Sequence, residues 1–321
     1  MSAPAPACTM APPLVSVVLL TYNRRAFLAR SLRAVVEQAY PHLEVVVVDN
    51  ASVDDTAAYV AAHFPAVRLV RNSRNLFFTG GMNTGIRAAR GELLLLLTDD
   101  VVLERDYVAK LVPLLLHTPD LALVAGVLYD ADTGQVRCAG ARVQFGLDAL
   151  RIVHEAVAPA VLQGNGLQPV PYVPPTLTLA RRAALDAVGG FDDDFQFTGE
   201  DIDLVLKLRR RGYRIALYPA AAAYHLPPGT LAYRENETID FHMEKNIFLL
   251  YFKFAPLATL LGFLGYRYAW LAKQWGLALL GRRPPLRRAT VRAHLWWLGQ
   301  LPRLLAKRWQ LRGGPHDAAC R

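Results

Sequence analysis

Only three cysteines, Cys8, Cys138 and Cys320, occur in the 321 residues, and no two of them form a C-x-x-C pair. This excludes a disulfide-stapled miniprotein, a cysteine-based zinc cluster and thiol-exchange chemistry, and it fits a reducing compartment. No G-x-G-x-x-G follows the first β-prone run, so a dinucleotide-binding oxidoreductase lacks the glycines that let backbone approach a pyrophosphate. The apolar stretch 247–266 is interrupted by Lys253, and its longest uncharged part, Phe254–Tyr266, is 13 residues. That is short of the ~20 that a spanning helix needs. Met1–Pro13 has neither a basic nor an apolar signal region, so we expect a disordered segment at 1–13 and a cytoplasmic protein. No internal repeat is visible.

Of the whole, 53% of residues are hydrophobic and 20% charged, enough apolar side chains for a sizeable core and too many for intrinsic disorder. The charge is unevenly spread. From Lys245 onward there are 14 Lys/Arg against Asp317 alone, a formal +13, which leaves residues 1–244 at −4 of the total +9. All five tryptophans, at 270, 275, 296, 297 and 309, fall in this tail among Arg and Leu. Such a composition predicts a basic amphipathic helical region over 241–321, lying peripherally on an anionic membrane surface at the inner face of the cell membrane. Interleaved Trp and Leu favour lipid headgroups over a phosphodiester backbone, so no nucleic acid is expected as partner. The competing reading packs these helices as core against the rest of the chain.

The first half alternates short apolar runs with amphipathic stretches. Leu14–Leu20, Leu43–Val48, Val67–Val70 and Leu93–Leu97 read as strands buried on both faces; Ala26–Ala39, Val53–His63, Gly81–Arg90 and Glu104–His117 read as helices. This alternation predicts an α/β fold, a mostly parallel Rossmann-like sheet with helices on both faces, whose strand C-termini share one ligand-binding edge. Residues 120–180 are less regular, and we assign them, with the loop Pro159–Pro175, to sheet edge and active-site loops. Helices are expected again at Arg181–Val188 and Glu200–Arg211, then short strands at Arg214–Tyr218 and Ala221–Tyr224.

Polar clusters follow these elements: Thr21-Tyr22-Asn23-Arg24, Asp49-Asn50-Ala51-Ser52, Thr98-Asp99-Asp100 and Gly199-Glu200-Asp201-Ile202-Asp203. Turn formation and helix capping account for much of this, Ser52 with Asp55 making an adequate capping box and the 200–203 acids suiting a helix N-terminus. Capping does not explain Asp99-Asp100, because adjacent carboxylates after five leucines repel each other unless a cation or phosphate-bound metal sits between them and the ligand.

These residues resemble the family 2 glycosyltransferases of the GT-A fold, in their rhamnosyltransferase-like bacterial branch. The resemblance spans about 14–250 and rests on Val15–Arg24, on Val48–Ser52 with Asp54 and Thr56, and on Asn75–Gly85. It continues through Thr98-Asp99-Asp100, Gly189-Gly190-Phe191-Asp192, Gly199–Leu204 and Tyr224-His225. Each is weak alone; seven in the family's order and spacing are strong. The chain is thereby expected to divide into a catalytic domain at 14–240 and the helical region after it.

The resemblance implies residue roles. Thr21, Tyr22, Asn23 and Arg24 would hold the nucleotide, with Asp49 and Asn50 at base or ribose, and Arg71, Asn75, Gly81 and Asn83 would close over nucleotide and donor sugar. Asp99 and Asp100 stand at the family's D-x-D place, where Asp100 would coordinate Mg²⁺ or Mn²⁺ on the diphosphate, joined by His225. Thr98 departs from the Asn common there, and Met82 from the Asn common beside the donor. Asp201 would be the base that deprotonates the acceptor hydroxyl in an inverting displacement, with Glu200 and Asp192 on the acceptor side. The activity implied is transfer of a sugar, L-rhamnose as first guess, from a nucleotide-diphosphate sugar to a lipid-linked or cell-surface glycan. A catalytically silent sugar-nucleotide-binding protein at the membrane is the alternative, and the presence of both Asp100 and Asp201 speaks against it.

Overall fold

A computed structural model describes residues 11–154, 166–227, 237–282 and 287–312. Its main sheet begins with four parallel strands, β1 (Val15–Thr21), β2 (Leu43–Asp49), β3 (Arg68–Arg71) and β4 (Leu93–Thr98). Every residue of β1 and Leu93–Leu97 of β4 are buried. Leucine burial of this kind stabilises by roughly 1.5–3 kcal/mol per side chain, which is why strands covered on both faces read as continuous apolar runs. Between them run α1 (Arg25–Val36), α2 (Thr56–His63) and α3 (Phe77–Ala88). The expected helix start at Val53 is not observed. Ser52 instead accepts the Asn23 N–H, and Asp54 takes the Thr56 N–H, so the helix begins later.

The stretch 120–180 differs from its expected role at the sheet edge. After the short β5 (Val101–Leu103) and α4 (Tyr107–Leu116) comes β6 (Leu121–Asp130), ten residues long and buried over its first eight. Next come β7 (Val136–Cys138), β8 (Ala141–Phe145), β9 (Leu150–His154), β10 (Gln168–Pro169) and β11 (Leu177–Arg181). β11 runs antiparallel between β4 and β6, deep inside the sheet. Of the loop expected at Pro159–Pro175, residues 159–165 lie outside the described residues.

α5 (Arg182–Ala187) and α6 (Glu200–Arg210) lead to β12 (Arg214–His225). The two short strands expected there are one strand parallel to β6, its register broken between Leu217 and Ala222, where Pro219 supplies no N–H to the ladder. Among the described residues the sheet order is β10-β12-β6-β11-β4-β1-β2-β3, with helices on both sides. Because β11 is antiparallel to both its neighbours, β6 and β12 point the same way as β1–β4, and their C-termini meet on one edge.

The last helices are α7 (Glu237–Phe254), α8 (Leu257–Leu279), α9 (Arg288–Gly299) and α10 (Leu301–Arg312). Residue 240, where a boundary was expected, lies inside α7, in which Phe248 to Phe254 are all buried, packed with Phe263 and Trp297. Tail cations also turn inward. Lys253 pairs with Asp192 and Asp203, Lys307 with Asp192 and Asp194, and Arg303 with Asp194. None of the described helices is long and apolar enough to cross a membrane.

Candidate active site

Strand register builds the site's floor. Thr21, Asp49 and Arg71 pair in one row across the ends of β1, β2 and β3, and Thr98 pairs with Leu20 beside them. The turns leaving these strands are strained: Asn23, Ala51 and Phe77 have φ of 53°, 67° and 57°, and Gln196 and Thr198, before α6, have 60° and 63°. Among the described residues these are all the non-glycine positions with positive φ, and such conformations cluster where structure serves function.

Several residues expected on the nucleotide wire the turns together instead. Asn23 accepts the Val53 N–H at 2.7 Å, and Thr21 donates to Asp99 at 2.7 Å. Asn50 donates to Asn75 Oδ1 and the Phe77 carbonyl and accepts from Asn72 and the Leu76 N–H, so its amide organises the whole β3–α3 turn. Asp49 is fully buried, with one oxygen on the Ser52 N–H and Oδ2 3.2 Å from Arg71 Nε. That oxygen has no aligned hydrogen bond and is enclosed behind Arg71. Tyr22 is 41% exposed and Arg71 is exposed, leaving both available at the surface of the site.

Four other residues of that reading have partners within the fold. Gly81 lies against β1, where a Cβ would meet Leu20 Cδ1 at 2.5 Å, and Met82 is buried in the core, so both serve packing. Asn83 staples α3 to the loop before α6 through the Phe191 carbonyl, the Phe191 N–H and Asp193. Asp192, expected on the acceptor side, is held by Lys253 at 2.7 Å and by Lys307 at 2.9 and 2.7 Å. Burial opposes its charge, but the two ammonium groups outweigh it and hold the carboxyl well below the usual range.

Asp99 and Asp100 are both met by an arginine of the chain itself. Arg24 NH1 lies 3.2 Å from Asp99 and 2.9 Å from Asp100, while Thr98 donates to the other Asp100 oxygen at 2.8 Å. Burial, against the pull of Arg24, raises the Asp99 pKa to about 7. His225, at the end of β12, faces the same carboxylate, Nε2 to Asp100 Oδ2 at 3.8 Å, because β12 pairs with β5 immediately after Asp100. Its Nδ1 accepts from Arg137 NH1 at 2.9 Å, and burial above all keeps its pKa low, so the neutral imidazole carries its proton on Nε2, toward Asp100, and ligation through Nε2 would need Arg137 to release Nδ1. Among the described residues no three His, Cys, Asp or Glu side chains converge as a metal cage. Asp100 and His225 would supply at most two ligands to a Mg²⁺- or Mn²⁺-type ion, which keeps water and phosphate oxygens for its remaining positions, and Arg24 stands on the same Asp100 oxygen.

Asp201 opens α6 after Gly199, whose φ of 81° suits glycine. The Tyr172 hydroxyl donates to Asp201 Oδ2, and the Ile202 N–H to Oδ1 at 2.8 Å. Burial raises the Asp201 pKa, and burial followed by the Asp201 charge raises that of Glu200 to about 8. Tyr172 was not visible in the sequence, since it lies 29 residues from Asp201 in a proline-rich loop and no spacing rule points to it. Arg137 of β7 contacts His225, and the next residue, Cys138, is near enough for the Asp201 charge to add to burial in raising the thiol's pKa.

Residues 16–189 match the model of glycosyl transferase family 2. The chain is 29% identical over 225 residues to the uncharacterized protein y4gI of Sinorhizobium fredii, a match covering 66% of this chain and 24% of that protein. It is also 29% identical over 228 residues to the succinoglycan biosynthesis protein ExoO of Rhizobium meliloti, covering 68% of this chain and 63% of that one. The chain thus spans less than two thirds of the length of either relative. A crystal structure of GalNAc-T7 with UDP, GalNAc and Mn²⁺ superposes with a TM-score of 0.61 at 17% identity, over 74% of this chain and 47% of that one. The shared fold is GT-A.

Proposed function

The chain belongs to glycosyl transferase family 2, and from that membership we propose that it is an inverting, metal-assisted enzyme that moves a sugar from a nucleotide-diphosphate donor to a hydroxyl of a polysaccharide or cell-surface glycan. The observations that support this reading are Asp100 and His225 facing each other at the strand ends and, at the start of α6, the Asp201 carboxylate held by Tyr172 and the Ile202 N–H. Asp201 takes the proton of the acceptor hydroxyl as its oxygen bonds to the anomeric carbon. The bond to the diphosphate breaks on the opposite face, and the nucleotide leaves with the electron pair. Asp100 and His225 would hold the divalent cation, which supplies charge neutralisation at the diphosphate. Tyr22 and Arg71, the latter held by Asp49, bind and orient the nucleoside end. ExoO's name concerns succinoglycan biosynthesis, and GalNAc-T7 was crystallised with a nucleotide and Mn²⁺; both support a glycan product and a metal-dependent donor. L-rhamnose as donor sugar rests on branch resemblance. Donor hydrolysis measured across dTDP, UDP and GDP sugars tests the reading, and inactivity with every donor counts against it.

We also infer that the protein works on the cytoplasmic leaflet of a membrane, where a lipid-linked acceptor is presented. The C-terminal helices place apolar side chains outward: Leu261, Trp275, Leu279, Leu280, Leu305 and Trp309 are all exposed. Residues 257–312 contain no Asp or Glu, and Lys273, Arg282 and Arg288 are exposed among them. A second copy of such a surface would bring like charges together, whereas anionic headgroups complement it.

A further inference from the structure

Two adjacent acids open α6, and chemistry at this point depends on which of them carries the charge. We propose that Tyr172 is the positioning residue that makes Asp201, rather than Glu200, the ionised member of the pair. The inference rests on the reading of Asp201 as the base, but it concerns a proton and not turnover, so it is tested independently.

The argument is one of donors. Asp201 accepts from Tyr172 at one oxygen and from the Ile202 N–H at the other. Glu200 Oε2 is buried and has no hydrogen-bond partner. Neighbouring carboxyls removed from water cannot both ionise cheaply, so they share a proton, and the charge settles where hydrogen bonds to the charged form are available. That place is Asp201.

Tyr172 is built to keep that bond. It is 3% exposed, and its backbone is fixed by an antiparallel bridge to Ala141, whose N–H donates to the Tyr172 carbonyl at 3.1 Å. The bridge needs Gly140, with φ of 98° and its Cβ position 2.9 Å from Val170 Cγ1. The groups facing Asp201 are Tyr172, Cys138 and Glu200, and Asp203 adds its charge to Glu200. Burial first, then the Asp201 charge, holds the Tyr172 phenol well above its ordinary pKa, so it remains a donor throughout the working range. Burial keeps the Cys138 thiol protonated as well. Glu200 therefore has only its own backbone N–H as a donor, with Oε2 unpaired, and it keeps the proton.

The experiment is a carboxyl-carbon NMR titration of the full chain labelled with ¹³C in Asp and Glu side chains, with signals assigned through Asp201→Asn and Glu200→Gln. In the wild type the lower-pH step should move mainly the Asp201 signal and the higher step mainly that of Glu200. Tyr172→Phe removes one hydrogen bond to a charged group, so the Asp201 midpoint should rise by about one pH unit or more. An unmoved Asp201 midpoint in a cooperatively melting Tyr172→Phe protein overturns the proposal. If that variant does not fold, the wild-type order decides, and an Asp201 midpoint above that of Glu200 overturns it. Loss of donor turnover in Asp201→Asn bears on the base assignment alone, so failure of either idea is distinguishable.

Discussion

Lys307, on the last described helix, binds both oxygens of Asp192, at 2.9 and 2.7 Å, across 115 residues of sequence. Lys253 reaches the same carboxylate at 2.7 Å from α7. Around them Lys245 donates to the Asp194 carbonyl, and Asn246 donates to the carbonyls of Phe195, Phe197 and Thr198. The loop that delivers Glu200 and Asp201 is thus held from outside by helices whose charge suggested a separate membrane region.

Lys253 is the most buried of these cations, 3% exposed, and it faces Asp192 and the fully buried Asp203. Lys253→Met should destabilise the chain by about 3–5 kcal/mol, the usual cost of leaving buried charge unpaired, read from urea denaturation. The Asp192 pKa is depressed in the fold, so its contribution is fully present above the ordinary unfolded value of about 3.9 and is lost as pH falls below it. Acid unfolding of wild type should accordingly be steeper than that of Asp192→Asn.

Asp201→Asn keeps the size of the side chain but cannot accept a proton. Turnover should drop by ~10²-fold or more, with nucleotide binding retained. Near-normal turnover would remove Asp201 as the base.

At the other end of the site, Asp100→Ala should abolish the tightening of nucleotide-diphosphate binding by Mn²⁺, and His225→Ala should weaken it less, as calorimetry with and without the metal would show. Full activity of the wild type in excess chelator would contradict the metal's role.

Membrane contact should be carried by the outward apolar side chains more than by charge, because Lys253 and Lys307 are paired inside the fold. Sedimentation with anionic liposomes should therefore be only partly reversed by salt. The full-length double variant Trp275→Ser, Trp309→Ser should pellet less, since both side chains are exposed and their loss leaves the core intact. Equal pelleting of wild type and variant, or none with any lipid, would rule this face out.

Much of the fold was legible because burial on both faces of a strand leaves a local record. The runs that became β1, β2 and β4 lie within a residue of their expected positions, and the carboxylates of Asp49, Asp99 and Asp100 stand at their ends. Strand direction leaves no such record, and the antiparallel insertion of β11 between β4 and β6 was invisible in the irregular composition of 120–180. The wiring roles of Asn23, Asn50 and Asn83 were equally hidden, since an asparagine beside a turn looks the same whether it holds a ligand or another loop.

By itself the sequence determined the chemistry available: polar side chains at the ends of buried strands, a pair of adjacent aspartates, and an acidic helix start, all set by residue type and short-range spacing. The partners were decided only by tertiary structure. Arg24 beside Asp99 and Asp100, Tyr172 on Asp201, and Lys253 and Lys307 on Asp192 are contacts between segments 29 to 115 residues apart. Charge composition counts cations without saying where they point. Packing turned part of the basic tail inward to hold the loop before α6, because a carboxylate taken out of water must be met by a cation or a hydrogen-bond donor.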